Sequence, residues 1–159
     1  MAFTTSNISA AAVDQLCAGT FYSGAGGTSW AADTINCALM LGTNTPNKND
    51  TLANNTYNAG QWVSATYEVY QAGQWAQGGI ALGTKTHTFG SGTSQLGAAS
   101  VVGGSASTLL NTYGCLVYNG SATAKYAYCW NYFGGTQSVT AGTFTVVWSG
   151  NGILQFTIT

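Results

Sequence analysis

The side chains able to do chemistry are few: Asp14, Asp33, Asp50 and Glu68 are the acids, Lys48, Lys85 and Lys125 the cations, and His87 the one histidine, with no arginine. A glycosidase needs two carboxylates flanking one sugar, but these acids fall at isolated points with no paired spacing. His87 lies in a threonine-rich stretch without a G-x-S-x-G elbow, so it reads as a surface or hydrogen-bonded strand residue rather than a base for a nucleophile. Cys17, Cys37, Cys115 and Cys129 form no C-x-x-C pair and lack zinc-ligand spacing. Gly24, Gly26 and Gly27 have neither the preceding strand nor the following lysine of a phosphate loop. Asp33 is expected to turn the chain into its first strand, and Glu68 to make one local polar contact. The expectation is a protein that is not an enzyme and holds no metal or cofactor.

The composition narrows the partners. Only 4% of the 159 residues are charged and the net charge is -1. Three lysines cannot neutralise a run of phosphates, so neither nucleic acid nor an anionic membrane surface is an expected partner. No stretch approaches the ~18 apolar residues of a membrane span, and Met1 to Ser9 lacks the basic and apolar regions of a signal peptide, which points to a chain made in a cytoplasm. The Asn-x-Ser/Thr triplets at Asn7, Asn49, Asn54 and Asn119 then read as chance matches. With 45% hydrophobic and 13% aromatic residues the chain has ample material for a core. Its surface must be Thr, Ser, Asn, Gln and Gly, which suits extended protein contacts or neutral sugars.

The elements that must position these groups are mostly strands. Ser9 is a plausible N-cap for a helix over Ala10 to Ala18 with Val13, Leu16 and Cys17 on one face, stopped at Gly19 and followed by a glycine-rich connector to Ser29. Ile35, Cys37, Leu39 and Leu41 alternate with Asn36, Ala38 and Met40, the pattern of a half-buried strand. Thr43 to Gly60, with Pro46 and many asparagines, reads as a long surface loop. Gln61 to Val69 alternates as a strand, and a hairpin is expected across Ile80 to Phe89. Gly90 to Gly104 is turn-rich, with Leu96, Val101 and Val102 as anchors. Tyr113 to Tyr118 and Lys125 to Phe133 form a hairpin about Asn119-Gly120, with Tyr126, Tyr128, Trp130 and Tyr132 sharing a face. Thr143 to Trp148 and Ile153 to Ile158 form a second hairpin about Ser149 to Gly152, with Phe144, Val146, Trp148, Leu154, Phe156 and Ile158 inward. The sum is all-β: a single antiparallel β-sandwich or jelly-roll-like domain over residues 1–159, with an arm, a short helix and a connector at 1–29 and the β core at 30–159.

One set of segments carries a resemblance that composition does not. The run Ala32 to Leu41 followed by Thr45-Pro46-Asn47 is similar to the opening of a family of small structural proteins of tailed bacteriophages. The later landmarks follow in order: Glu68-Val69 leading into Gly73, Gly78 to Leu82, Lys85-Thr86, Tyr113 to Tyr118, Phe133-Gly134, Gln137-Ser138, and Ala141 to Trp148 ending in Gly152-Ile153-Leu154. The chain departs from that pattern at Ala98 to Val101, where the family has an acidic pair and a tryptophan, and at Gly135-Thr136, where it has an acid.

The resemblance implies a virion component without an active site: a head decoration or cement protein on the outer surface of the capsid, homo-oligomeric and bound to the phage major capsid protein. A tail, neck or fibre-associated structural protein, or a glycan-binding module for host recognition, is the alternative. Assembly contacts are expected at the aromatic anchors Trp62, Tyr70 and Trp75 and in the irregular arm and loop, at Phe3 and Pro46. Cys17, Cys37, Cys115 and Cys129 read as buried free thiols; oxidation into disulfides that staple the particle is the alternative, with three intrachain pairings that the sequence does not choose among.

Overall fold

The structure is a computed structural model and describes residues 3–17 and 29–158. The chain folds as an antiparallel β protein built around one sheet covered on both faces. In chain order its strands are β1 (Asn7–Ile8), β2 (Ile35–Leu41), β3 (Glu68–Val69), β4 (Ile80–Ala81), β5 (Thr86–Gly90), β6 (Thr93–Gly97), β7 (Val101–Val102), β8 (Ser107–Asn119), β9 (Ala127–Gly142), β10 (Thr145–Val146) and β11 (Leu154–Thr157). The helices among the described residues are α1 (Ala10–Cys17) and the single turn α2 (Ser64–Tyr67). Helix α1 starts as its sequence requires: Ser9 Oγ accepts hydrogen bonds from the Ala11 and Ala12 N–H groups at 3.1 and 3.4 Å. The expected stop at Gly19 and most of the glycine-rich connector lie outside the described residues.

The main sheet runs β1-β9-β8-β2-β3, with β4 also paired to β2. Against one face pack Ala12 of α1, Trp30, Trp75, Leu82 and two smaller sheets, the pair β7-β10 and the three-stranded β5-β6-β11, through Leu96, Val101, Phe144, Val146 and Ile153. On the other face lie Phe3 and Trp62 over Ala38, Met40, Leu116, Tyr118, Ala127 and Trp130. Strand β2 is therefore buried on both sides rather than half-buried, because the arm and the 43–67 segment roof its second face. Each tryptophan so enclosed removes about 150–250 Å² from water, worth roughly 4–6 kcal/mol before entropy is counted.

Several expected elements take other forms. Gln61 to Val69 is a 3₁₀ turn at Gly60–Trp62, then α2, then only two strand residues, because Trp62 leaves the alternating pattern to reach Asn55 Oδ1 with its indole N–H at 3.1 Å. The 85–89 strand pairs with β6 rather than with Ile80 to Leu82, across Ser91-Gly92, where both residues have positive φ (49° and 75°) as a type I′ turn demands. Ser149 to Gly152 does turn tightly, yet it joins no hairpin: β10 pairs with β7, and β11 with β6. The four tyrosine and tryptophan side chains expected on one face of β9 are divided. Tyr118 opposes Ala127 while Val117 opposes Cys129, so Tyr128 is an inserted residue, and this bulge sends Tyr126 and Tyr128 to one core and Trp130 and Tyr132 to the other.

Candidate functional site

Three of the expected contact residues are core side chains. Phe3, Trp62 and Trp75 are each 0% exposed, so they hold the fold and present nothing to a partner. Phe3 reaches the core because Gly114 opposite it has no Cβ; one there would lie 2.4 Å from the Phe3 ring. Tyr70 is 48% exposed and Pro46 is half-buried. The arm is not irregular throughout, since Asn7 and Ile8 pair with Trp130 and Cys129. The cysteines are free thiols, three of them buried and Cys17 exposed. Cys37 and Cys129 both flank Val117, while Cys115 lies one pair further along, opposite Leu39. Hydrogen bonding to Cys37 and burial raise the Cys115 thiol well above its usual range.

The isolated acids are held by backbone and amide donors. Asp33 is buried, and its Oδ2 accepts from Asn119 Nδ2 at 2.8 Å, while Asn119 Oδ1 accepts from the Ser121 and Ala122 N–H groups. That network ties the entry of β2 to the β8–β9 connection, and Lys85 Nζ adds a hydrogen bond to the Asp33 carbonyl. His87 is exposed beside Ser94, its Nε2 3.1 Å from Ser94 Oγ. Glu68 does more than the one contact expected of it. It accepts the Tyr57 hydroxyl on Oε2 and the Gly78 N–H on Oε1, both at 2.7 Å, and also the Gly79 N–H. Burial raises its carboxyl above the usual carboxylate range, and the three donors pull it partway back.

Behind the Tyr57 hydroxyl and the Gly78 N–H, Glu68 backs a cavity of about 390 Å³ that it does not itself line; the lining is Asn36, Tyr57, Asn58, Ser64, Gln77, Gly78, Gly79, Tyr118 and Lys125. Tyr57 and Tyr118 stack with centroids 4.4 Å apart and planes 5° from parallel, and Lys125 Nζ sits 5.6 Å from the centre of the Tyr57 ring. Tyr118 accepts from Asn36 Nδ2 and donates to the Gly78 carbonyl; burial pushes its hydroxyl up to about 12. Sequence patterning did not bring these groups together, because they come from five separate segments with no shared spacing.

A second surface lies where a small sheet meets helix α1: His87, Ser94, Leu96 and Phe156 line a cavity of about 580 Å³ together with Val13, Leu16 and Cys17 of α1 and residues 29–31. On one face of β5-β6-β11 the register places His87, Leu96 and Leu154 in one row and Phe89, Ser94 and Phe156 in the next. Exposure climbs along that face as it leaves the core: Leu96 is 9% exposed, Phe156 39%, Phe89 79% and Ile158 82%. Phe156 and Ile158 were expected inward; they stand open because β11 pairs at the outer edge of this small sheet rather than closing over the main one. No charged residue occurs after Lys85 except Lys125, so neither β5 nor β11 carries the lysine or proline that usually guards an open strand edge. That gap in the charges was the legible signal.

No protein family, curated protein or solved structure was found to match the chain. Among the described residues, no helix is long and apolar enough to cross a membrane, and no three His, Cys, Asp or Glu side chains are grouped to hold a metal ion.

Proposed function

We propose that the chain is a non-enzymatic structural subunit of a bacteriophage virion, a decoration or cement protein that clamps the outside of the assembled head. The observation that carries the reading is the uncharged β5-β6-β11 sheet, which leaves Phe89, Phe156 and Ile158 exposed on one face and has β5 and β11 as its edge strands. An isolated soluble subunit gains nothing from such a surface, whereas a subunit that works in a repeated array buries it against its neighbours. The family resemblance of the 30–159 region supports the same reading, as does a surface poor in charges, whose burial avoids a large desolvation cost. Binding only to the assembled shell adds its free energy to the shell's stability by mass action, and a symmetric array repeats one modest contact many times. The major capsid protein and further copies of this chain are the partners in this reading.

The test compares particles lacking the protein with the same particles after adding it back, under heat or osmotic shock. The expected result is co-sedimentation of the protein with empty shells and better DNA retention when it is present. Equal DNA retention together with no co-sedimentation would overturn the head assignment and move the protein to the tail.

A further inference from the structure

We infer that the cavity in front of Glu68 is a binding site for a neutral saccharide. This stands apart from the virion reading and does not need it. The cavity gathers unusual backbone: Asn58 and Lys125, both non-glycine residues with left-handed φ of 62° and 49°, form its rim, and Gly78 and Gly79, at 90° and 81°, form its floor. Strained positions persist where the surroundings over-determine them, and they concentrate at ligand clamps. Here the surroundings are rigid, since the Tyr57–Tyr118 stack, the Glu68 carboxylate and the Gly78 carbonyl and N–H lock one another. A side chain at Gly79 would place its Cβ 2.2 Å from the Cys37 carbonyl oxygen, so this floor is pressed directly onto β2.

The groups left over after these internal bonds define the ligand. Asn58 Oδ1 is taken by the Ser64 N–H and hydroxyl, which leaves Nδ2 as a donor. Gln77 gives Nε2 to Ser64 Oγ, which leaves Oε1 as an acceptor. Asn36 gives Nδ2 to Tyr118, which leaves its Oδ1 as a second acceptor, and the Lys125 ammonium is a second donor. Donors and acceptors in equal number suit vicinal hydroxyl groups, each of which donates and accepts at once. A phosphate ester would demand several cations and finds one, with a carboxylate behind it. An apolar ligand finds no open ring face, because the two tyrosines cover each other and Lys125 covers Tyr57. At about 390 Å³ the space is near the small end of ligand pockets, fit for one or two sugar units rather than a long chain.

The experiment titrates the full chain, labelled for amide resonances, with glucose, galactose, mannose, N-acetylglucosamine and their disaccharides, and separately with inorganic phosphate. The expected result is saturable shifts confined to the amides of Asn58, Ser64, Gln77, Gly78, Gly79 and Lys125 with at least one saccharide. Gln77→Ala and Lys125→Asn should each weaken that binding about 3- to 10-fold, the loss of one hydrogen bond. Both side chains are exposed, and asparagine tolerates the Lys125 backbone, so an unchanged melting temperature accompanies the loss. Shifts with phosphate alone, no saturable shift with any saccharide, or equal affinity in both variants would overturn the assignment.

Discussion

Glu68 places a carboxylate where water has little access and, among the described residues, no cation is paired with it, so its folded form holds a proton more tightly than an ordinary glutamate. The consequence for stability has a definite sign. Below the ordinary value of 4.5 both the folded and unfolded chains carry the proton; as pH rises past it the unfolded chain ionises first, and the folded state loses relative stability until its own, higher value is passed. This one side chain therefore makes the protein more stable near pH 4 than at neutral pH. Glu68→Gln removes the titration, and the difference in melting temperature between wild type and variant should change with pH, wild type doing relatively better at the acid end. A parallel pair of pH–melting curves would contradict it. Trp62 illustrates the same scale differently: its indole N–H is bonded to Asn55 Oδ1, and Asn55 Nδ2 in turn holds the Ala127 carbonyl, so an aromatic group that looked like a contact residue is the centre of a buried network.

At the scale of elements the decisive features are the places where a regular strand is interrupted. The insertion of Tyr128 divides the aromatic side chains of β9 between two cores, and without it both faces of the main sheet would not be filled. Further along, Thr112 opposes Gln137 while Gly114 opposes Tyr132, so residues 133–136 bulge out of the ladder. Gly114 is the companion device. Its missing side chain lets Phe3 lie flat on β8, and the Phe3 N–H is bonded to the Gly42 carbonyl at 3.1 Å, which docks the arm over the second core. Gly114→Ala should displace Phe3, undock the arm and strain the β8–β9 ladder at the same point, since the added Cβ would also lie 2.3 Å from the Asn131 carbonyl oxygen. We expect a loss of about 1–3 kcal/mol in chemical denaturation, the usual range for overpacking, with early proteolysis near residue 5. A variant as stable and protease-resistant as wild type would show that the arm does not depend on this contact.

At the scale of the whole molecule, the charges are spent near the N-terminal half and the last third of the chain is left with none after Lys125. The consequence is a surface that repels neither its own copies nor a neutral neighbour. Phe89→Ser combined with Phe156→Ser should leave the melting temperature close to wild type, since both side chains are exposed, and on the virion reading proposed above it should reduce self-association measured by sedimentation velocity together with binding to shells. Unaltered association in the double variant would place the working interface elsewhere on the molecule.

Composition and local pattern by themselves determined much of this protein. The all-β class follows from short alternating segments, helix α1 from Ser9 and the alanines behind it, and the tight turn at Ser149 to Gly152 from its own residues. Strand β2 was legible as a strand because Ile35, Cys37 and Leu39 alternate, but not as a strand buried on both faces, since Ala38 and Met40 are ambiguous until a roof is built over them. Only the tertiary structure decided which strands pair. Neighbouring segments with a good turn between them look like a hairpin, and nothing in residues 143–158 says that β10 and β11 will each find a partner about forty to sixty residues upstream. That choice is what opens Phe89, Phe156 and Ile158 to solvent, and the same long-range closure gathers Asn58, Gln77 and Lys125 around one cavity. Local physics sets the period of a side-chain pattern, while burial against distant segments sets which face is inside.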